Sequence, residues 1–422
     1  MPTIFSLKVD MEKITVIHIM THPPAYEEHS DKPRPECNWD TPDGSWVGIW
    51  GYDWADQLAI EVSRITDKFT HEIWQPDCRA DKIYSNEIFS GVVHKSFPAK
   101  QIKMWNGIKR SSYTNSDEMI NCLTSLPDNS ILHLSHPIYD GLNKKIINNF
   151  RGNVISSYHG IINLPINYLL MIQWDPFKKI SYLIQHFRAK RYFKLVNHVT
   201  FMNNTNVILL RKYYSGALTK LTMGIDTNKF KVLDKKLCKK KLGLPENKKI
   251  LLTVSRLYNH KQIDRIIEIL DRIDGEFVFV VLGHGTINYE NYLKEKATSL
   301  INNKKIRFEG YKTGDELIEY LNSADAFILA SKSEGASVAV MEAMACGLPI
   351  ICTDTGNTAE VLKENNAGIV MGIKNYKEWE KELNDYFKGK PIKVLDIEFV
   401  KEHYEWKNIA RKFAAIYDKV KV

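Results

Sequence analysis

The sequence predicts an α/β protein made of two doubly wound domains. Three observations predict it. Short apolar runs of strand length alternate with helical stretches along most of the chain, the pattern of parallel sheets covered by helices. That rhythm starts twice, with a lysine-rich segment, Lys229–Lys241, between the two series. A chain of 422 residues also exceeds what one hydrophobic core holds, so roughly two to three domains are expected.

In the first series, Ile14–Met20 reads as the opening strand, Trp54–Ile65 as a helix and Thr70–Gln75 as the next strand. Ile131–Leu134 and Val154–Tyr158 are later strands, the second running into His159-Gly160. Pro23–Gly51 is long, polar and rich in Trp, Pro and His, and a loop of that size in a compact domain is usually functional or mobile. The Trp-rich stretch 39–54 suits either an aromatic stacking site for a ligand or core packing. The second series opens with the strand Lys249–Ser255, the helix Asp264–Ile273 and the strand Phe277–Leu282, which ends at Gly283-His284-Gly285. Ile306–Phe308 leads to Gly310, Gly314–Leu321 is helical, and Ala324–Leu329 and Pro349–Thr353 are strands. Phe399–Tyr417 carries apolar residues at helical spacing and reads as one terminal helix.

Composition excludes several classes. The chain is 44% hydrophobic and 26% charged, without a repeat or low-complexity tract. No apolar run approaches the ~20 residues that span a bilayer. The N-terminal stretch lacks the clean apolar core and cleavage site of a signal peptide, so a cytoplasmic protein is expected. Six cysteines (Cys37, Cys78, Cys122, Cys238, Cys346, Cys352) show no CxxC pair or zinc-like spacing and read as buried thiols. Residues 141–220 hold twelve Lys and Arg against one Asp, while the whole chain carries only +8. Within that basic region Trp174–Lys194 interleaves aromatics with cations. Such a face suits anionic headgroups at the inner membrane face, or a plain solvated helix. No recognised nucleic-acid module accompanies the charge, so no nucleic-acid partner is expected.

The chemistry concentrates in Ser331–Pro349. There Glu334 and Glu342 flank a Gly-Ala-Ser turn between a strand and an alanine-rich helix. A helix N-terminus after a strand offers free N–H groups and a positive dipole end to an anion. Carboxylates at both ends of that turn suit a polyhydroxylated ligand that also carries phosphate. The second glutamate sits among Val340, Met341, Ala343 and Met344, where an idle carboxylate would be costly.

Taken in order, these motifs resemble the nucleotide-sugar-binding domain of GT-B glycosyltransferases of the retaining family 4, over residues 222–385. Met223-Gly224-Ile225-Asp226 with Phe230 is similar to the family's NGID…F junction, Met223 standing for Asn. Ser255-Arg256-Leu257 with Lys261 resembles GRL…KG, Gln262 standing for the glycine. Gly310, the Glu334–Glu342 pair, Ala345-Cys346-Gly347-Leu348-Pro349 and Glu360 complete the series.

The resemblance implies two Rossmann-like domains facing across a cleft: residues 1–222 for the acceptor, 223–395 for the nucleotide sugar, and 396–422 as a helix returning to the first domain. It implies that Glu334 contacts the transferred sugar and Glu342 the ribose, and that the N–H groups of Gly335, Ala336 and Ser337 face the diphosphate. Arg256 and Lys261 would neutralise that diphosphate, His159 would face the donor sugar, and Gly51, from a departed glycine pair Gly48–Gly51, would lie near the diphosphate. Backbone near Gly283 and Tyr311 would select the base.

The implied activity is transfer of a hexose from a UDP- or GDP-sugar to a glycan, lipid-linked or small-molecule acceptor, with retention, no metal and no cofactor. Positive charge fixed against a leaving diphosphate stabilises the transition state more than the ground state. No Asp-x-Asp stands at a strand end to hold a metal. Two alternatives differ in class. A hydrolase would need the two carboxyls ~5–9 Å apart, whereas eight residues of helix span ~12 Å. A catalytically silent GT-B module would bind a membrane or a partner transferase through its basic face.

Overall fold

The structure is a computed structural model that describes residues 13–20, 54–77, 80–103, 109–135, 141–159 and 176–420. The loop 23–51 with Gly48 and Gly51, and residues His22, His136, Cys37 and Cys78, lie outside them.

The first lobe contains β1 (Ile14–Ile19), α1 (Trp54–Ile65), β2 (Phe69–Asp77), β3 (Tyr84–Phe89), β4 (Val92–Pro98), β5 (Lys100–Lys103) and β6 (Lys109–Asn115). It continues through α2 (Asp117–Thr124), β7 (Ile131–Ser135), α3 (Gly141–Asn149), β8 (Asn153–Tyr158), α4 (Pro176–Phe193), β9 (His198–Phe201), α5 (Asn204–Leu210) and β10 (Ala217–Lys220). Eight strands form one sheet in the order β10-β9-β8-β7-β1-β2-β4-β3. Its pairings are parallel except β3 with β4. β5 and β6 form a separate antiparallel pair. The sequence reading assigned no strand to this β3–β6 stretch, whose polar, unevenly alternating residues mask the period.

The second lobe contains α6 (Lys235–Lys241), β11 (Lys249–Val254), α7 (Ile263–Leu270), β12 (Phe277–Leu282), α8 (Ile287–Lys296), α9 (Thr298–Asn302), β13 (Ile306–Gly310) and α10 (Gly314–Ser323). It then runs through β14 (Ala326–Leu329), α11 (Val338–Ala345), β15 (Ile350–Thr353), α12 (Gly356–Glu364), β16 (Ile369–Met371), α13 (Tyr376–Phe387), α14 (Ile397–Tyr404) and α15 (Trp406–Val420). Six parallel strands lie in the order β13-β12-β11-β14-β15-β16. A parallel sheet covered on both faces wants unbroken apolar strands. β12, FVFVVL, supplies one, and all six of its residues are buried. The lysine-rich junction holds α6, whose Lys235 and buried Lys239 both reach Asp325, at 2.9 and 3.0 Å.

The terminal helix differs from the single helix read in the sequence. It breaks at Glu405, whose ψ of 130 leaves the helical region. There Ile225 N–H donates to Tyr404 O at 2.7 Å and Trp406 N–H to Ile225 O at 3.2 Å. The backbone bonds to Ile225 replace helix bonds, and Trp406 is turned onto Gly224. A Cβ on Gly224 would come within 2.3 Å of the Trp406 ring, so that junction position admits only glycine without a shift. Beyond the break, α15 buries Trp406, Ile409, Ala410, Phe413, Ile416, Tyr417 and Val420. That face packs with Trp54, Leu58 and Val62 of α1 and with Phe69. The i, i+3, i+4, i+7 spacing of those residues makes one apolar stripe, which the first lobe covers.

Candidate active site

The winding of the second sheet reverses between β11 and β14. At such a reversal the loops leaving two adjacent strands diverge to opposite faces and open a crevice at their carboxyl ends. The loop after β11 carries Arg256 and Lys261; the loop after β14 carries Glu334 to Ser337.

Three contacts stitch these loops together. Lys261 Nζ donates to Glu334 Oε1 at 2.6 Å. The side chains are 16% and 12% exposed, so the pair is shielded from the water that weakens surface ion pairs. Lys332 N–H donates to His260 O at 2.8 Å, and Lys332 Nζ to Asn259 Oδ1 at 2.8 Å. Burial, then the positive charges of Lys261, Arg256 and Lys332, holds the His260 imidazole below its usual value, against Glu334. Arg256 is exposed, with its guanidinium 5.8 Å from the Tyr258 ring centroid. Lys261 therefore pairs with the Glu334 carboxylate, and Arg256 and Lys332 lie close enough to His260 to oppose its protonation. The sequence reading found two of the cations and missed Lys332 and His260, although both lie in segments it had singled out.

Local backbone fixes this arrangement. Gln262 adopts φ 51, ψ 40, a left-handed conformation that glycine takes freely, which accounts for the glycine expected by the motif at that place. Gly283 has φ +135, and a Cβ there would stand 1.8 Å from Ser255 O. Ser255 N–H donates to Leu282 O at 3.0 Å and Leu257 N–H to His284 O at 2.8 Å, clamping the β11 and β12 loops on either side of Arg256. Tyr311 is 66% exposed and meets His284 edge-on at 5.3 Å.

On the other loop, Glu334 N–H donates to Thr355 Oγ1 at 3.1 Å. The Gly335 carbonyl accepts from Asn357 N–H at 2.8 Å. Gly335 and Ser337 are buried and Ala336 is half-buried. Ser337 caps α11, its side chain accepting from Val340 N–H. Glu342 lies in the body of α11. Burial pushes its carboxyl up to about 7, opposed by Lys229, so it answers to a different cation from Glu334. Glu360 reaches the first lobe, accepting from Lys220 Nζ and from Asn204 N–H, both at 2.8 Å.

In the first lobe His159 follows β8 with its ring 4.0 Å from that of Trp54. It borders an aromatic and imidazole cluster that the sequence did not signal. His18 and His71 share a 3.0 Å hydrogen bond, and His133 contacts Tyr417 Oη at 2.9 Å and Ser157 Oγ at 2.6 Å. Gly51, the remaining expected site residue, lies outside the described residues.

Two facing lobes with parallel sheets and a site at the second lobe's reversal define the GT-B fold, and the solved structures agree. Sucrose-phosphate synthase from Thermosynechococcus elongatus superposes with a TM-score of 0.69 at 14% identity, covering 97% of this chain and 99% of that one. Anabaena HepE, solved in complex with UDP, superposes with a TM-score of 0.65 at 13% identity, covering 97% and 100%. Residues 234–413 match the family model described as glycosyl transferases group 1. An uncharacterized glycosyltransferase of Methanocaldococcus jannaschii is 28% identical over 187 residues, 42% of this chain and 47% of that protein. The chain thus spans about half the length of this curated relative. These likenesses give no support to a catalytically silent module.

Proposed function

We propose that the protein is a retaining, family 4 glycosyltransferase that moves a hexose from a UDP- or GDP-sugar to a glycan or lipid-linked acceptor, without a metal. The observation that carries this reading is the shielded Lys261–Glu334 pair at the sheet reversal, with Arg256 and Lys332 on the same rim. A diphosphate entering there meets a cation already in place, and fixed charges need no reorganisation as the leaving group gains charge. The acceptor hydroxyl oxygen would form the new bond to the anomeric carbon on the face from which the diphosphate departs. The C–O bonding pair would leave with the diphosphate, and a phosphate oxygen would take the hydroxyl proton. Glu334 would accept hydrogen bonds from sugar hydroxyls, Glu342 from the ribose diol, and His159 would face the sugar from the first lobe.

The acceptor would be presented at a membrane surface. On α4, Leu183, Ile184 and Phe187 are 52, 46 and 67% exposed, next to the exposed cations Arg188, Lys190, Arg191 and Lys194. Each such cation contributes about 1 kcal/mol near an anionic surface. No helix of the described residues is long and apolar enough to cross a membrane.

A thermal-shift panel of UDP-, GDP-, ADP- and TDP-sugars tests the donor, because a bound ligand raises apparent stability. The reading requires stabilisation by at least one of them and transfer that survives excess EDTA. Transfer abolished by EDTA and restored by Mg²⁺ rejects metal independence. Co-sedimentation equal for neutral and anionic vesicles rejects the membrane surface.

A further inference from the structure

We infer that Asn203 and Glu360 are positioning residues that hold the Glu334–Gly335 turn in place from across the lobes. The inference rests on the donor site proposed above. The Gly335 carbonyl accepts a second hydrogen bond, from Asn203 Nδ2 of the first lobe at 3.4 Å. Asn203 is 2% exposed, and its Oδ1 is occupied by Asn206 N–H at 3.1 Å as the cap of α5. The amide orientation is thereby fixed: one end caps the helix and the other points at the donor turn. The next residue, Asn204, donates its N–H to Glu360 Oε1, while Lys220, at the end of β10, binds Oε2.

Glu360 lies one helical turn from the start of α12, and that start is fastened to the turn. A Cβ on Gly356, at φ +77, would lie 2.9 Å from Glu334 Cβ and 2.9 Å from both the Glu334 and Gly335 carbonyl oxygens. Thr355 Oγ1 accepts from Glu334 N–H, and Asn357 N–H donates to Gly335 O. Tyr404 Oη donates to Asn357 Oδ1 at 3.2 Å, anchoring the same helix to α14. A short helix held at one end by the donor turn and one turn later by the first lobe transmits displacement between them. At 3.4 Å the Asn203 bond is long for an N–H···O contact, so a small approach of the lobes strengthens it. The turn that holds Glu334 is therefore supported in part by contacts from the first lobe.

The test measures nucleotide-sugar affinity by calorimetry alongside the melting temperature without ligand. Asn203→Asp keeps the capping oxygen and removes the donor, placing a carboxylate against a carbonyl. It should weaken binding of the preferred nucleotide sugar roughly tenfold. Glu360→Ala should weaken it by a similar factor. Glu360→Gln keeps an acceptor for Asn204 N–H and should fall between Ala and the native residue. Lys220→Met should match Glu360→Gln. Melting temperatures of the Glu360 and Lys220 variants should stay within a few degrees of the unsubstituted protein, since only partly exposed contacts are lost there, whereas Asn203→Asp also buries a charge and lowers its melting temperature. Affinities equal to that of the unsubstituted protein overturn the inference and leave the donor site standing. Affinity that falls only in step with melting temperature, without the graded Gln intermediate, overturns it as well. An unsubstituted protein that binds no nucleotide sugar sinks the donor site and the inference together.

Discussion

Lys261 and Glu334 stand 73 residues apart in the chain, yet their charged atoms lie 2.6 Å apart. They meet because β11 and β14 are neighbours at the sheet reversal and each residue sits in the loop beyond its strand. Within the pair the two charges offset each other, while Arg256 and Lys332 add positive charge beside it. In the proposed function a diphosphate would draw on the lysine already in place, while Glu334 would accept hydrogen bonds from sugar hydroxyls.

Removing that cation should therefore cost turnover more than folding. Lys261→Ala is expected to lower kcat/KM for transfer by roughly 10²–10³-fold, the scale for losing one group aimed at developing charge. Lys261→Arg should retain part of the rate, because the charge persists in a different shape. Steady-state kinetics with the donor identified by thermal shift checks this; unchanged kcat/KM in Lys261→Ala contradicts it.

The proposed ribose contact of Glu342 predicts that nucleotide binding depends on pH. Its carboxyl is raised to about 7 by burial. Ribose hydroxyls would donate to the ionised form, so binding would favour loss of the proton. Affinity should rise as pH increases through about 7 and level off above it. Calorimetry between pH 6 and 8 should show that rise, and Glu342→Gln should flatten it and bind more weakly.

The buried imidazoles set the acid stability of the first lobe. Burial lowers His18 to about 3 and holds His71 and His133 well below the usual range, with neighbouring imidazoles adding to the effect. In the unfolded chain they protonate near the ordinary value of 6.5. Between that pH and about 3 the unfolded state binds more protons, so stability is complete above 6.5 and declines as pH falls. Each such histidine contributes a slope of up to about 1.4 kcal/mol per pH unit. Urea unfolding at pH 7.5, 6 and 5 should show the decline, and His18→Asn should reduce its slope. Stability that holds steady or rises on acidification contradicts this.

Gln262 occupies a left-handed backbone conformation at φ 51. An L side chain there costs roughly 1–2 kcal/mol, whereas glycine pays about 0.5–1 kcal/mol in chain entropy. Gln262→Gly should thus stabilise the protein by about 0.5–1 kcal/mol, and Gln262→Val should destabilise it. Thermal unfolding of both variants is the check.

Strand positions such as Phe277–Leu282 were legible because a strand buried on both faces must be apolar throughout. The polar β3–β6 stretch was not legible, since neither period survives there. The break at Glu405 was hidden as well. Tyr404 and Trp406 continue a helical spacing, and only Ile225, brought in from a distant part of the chain, takes the backbone bonds there. In the candidate site, Arg256, Lys261, Glu334 and Glu342 stood in ordered motifs, whereas Asn203 and Lys220 carried no signal. Their role comes from contacts with Gly335 and Glu360 on the other lobe.

The sequence by itself determined the apolar strands and the striped helices, because burial in a parallel sheet and along a helix stripe imposes a readable apolar period. It also set which residue types line the crevice. Only the tertiary structure decided who pairs with whom: Lys261 with Glu334, Lys220 with Glu360, Asn203 with Gly335. Such pairings depend on strand order and lobe docking, and neither leaves a local trace, because residues that meet through a sheet reversal or across a cleft share no period along the chain.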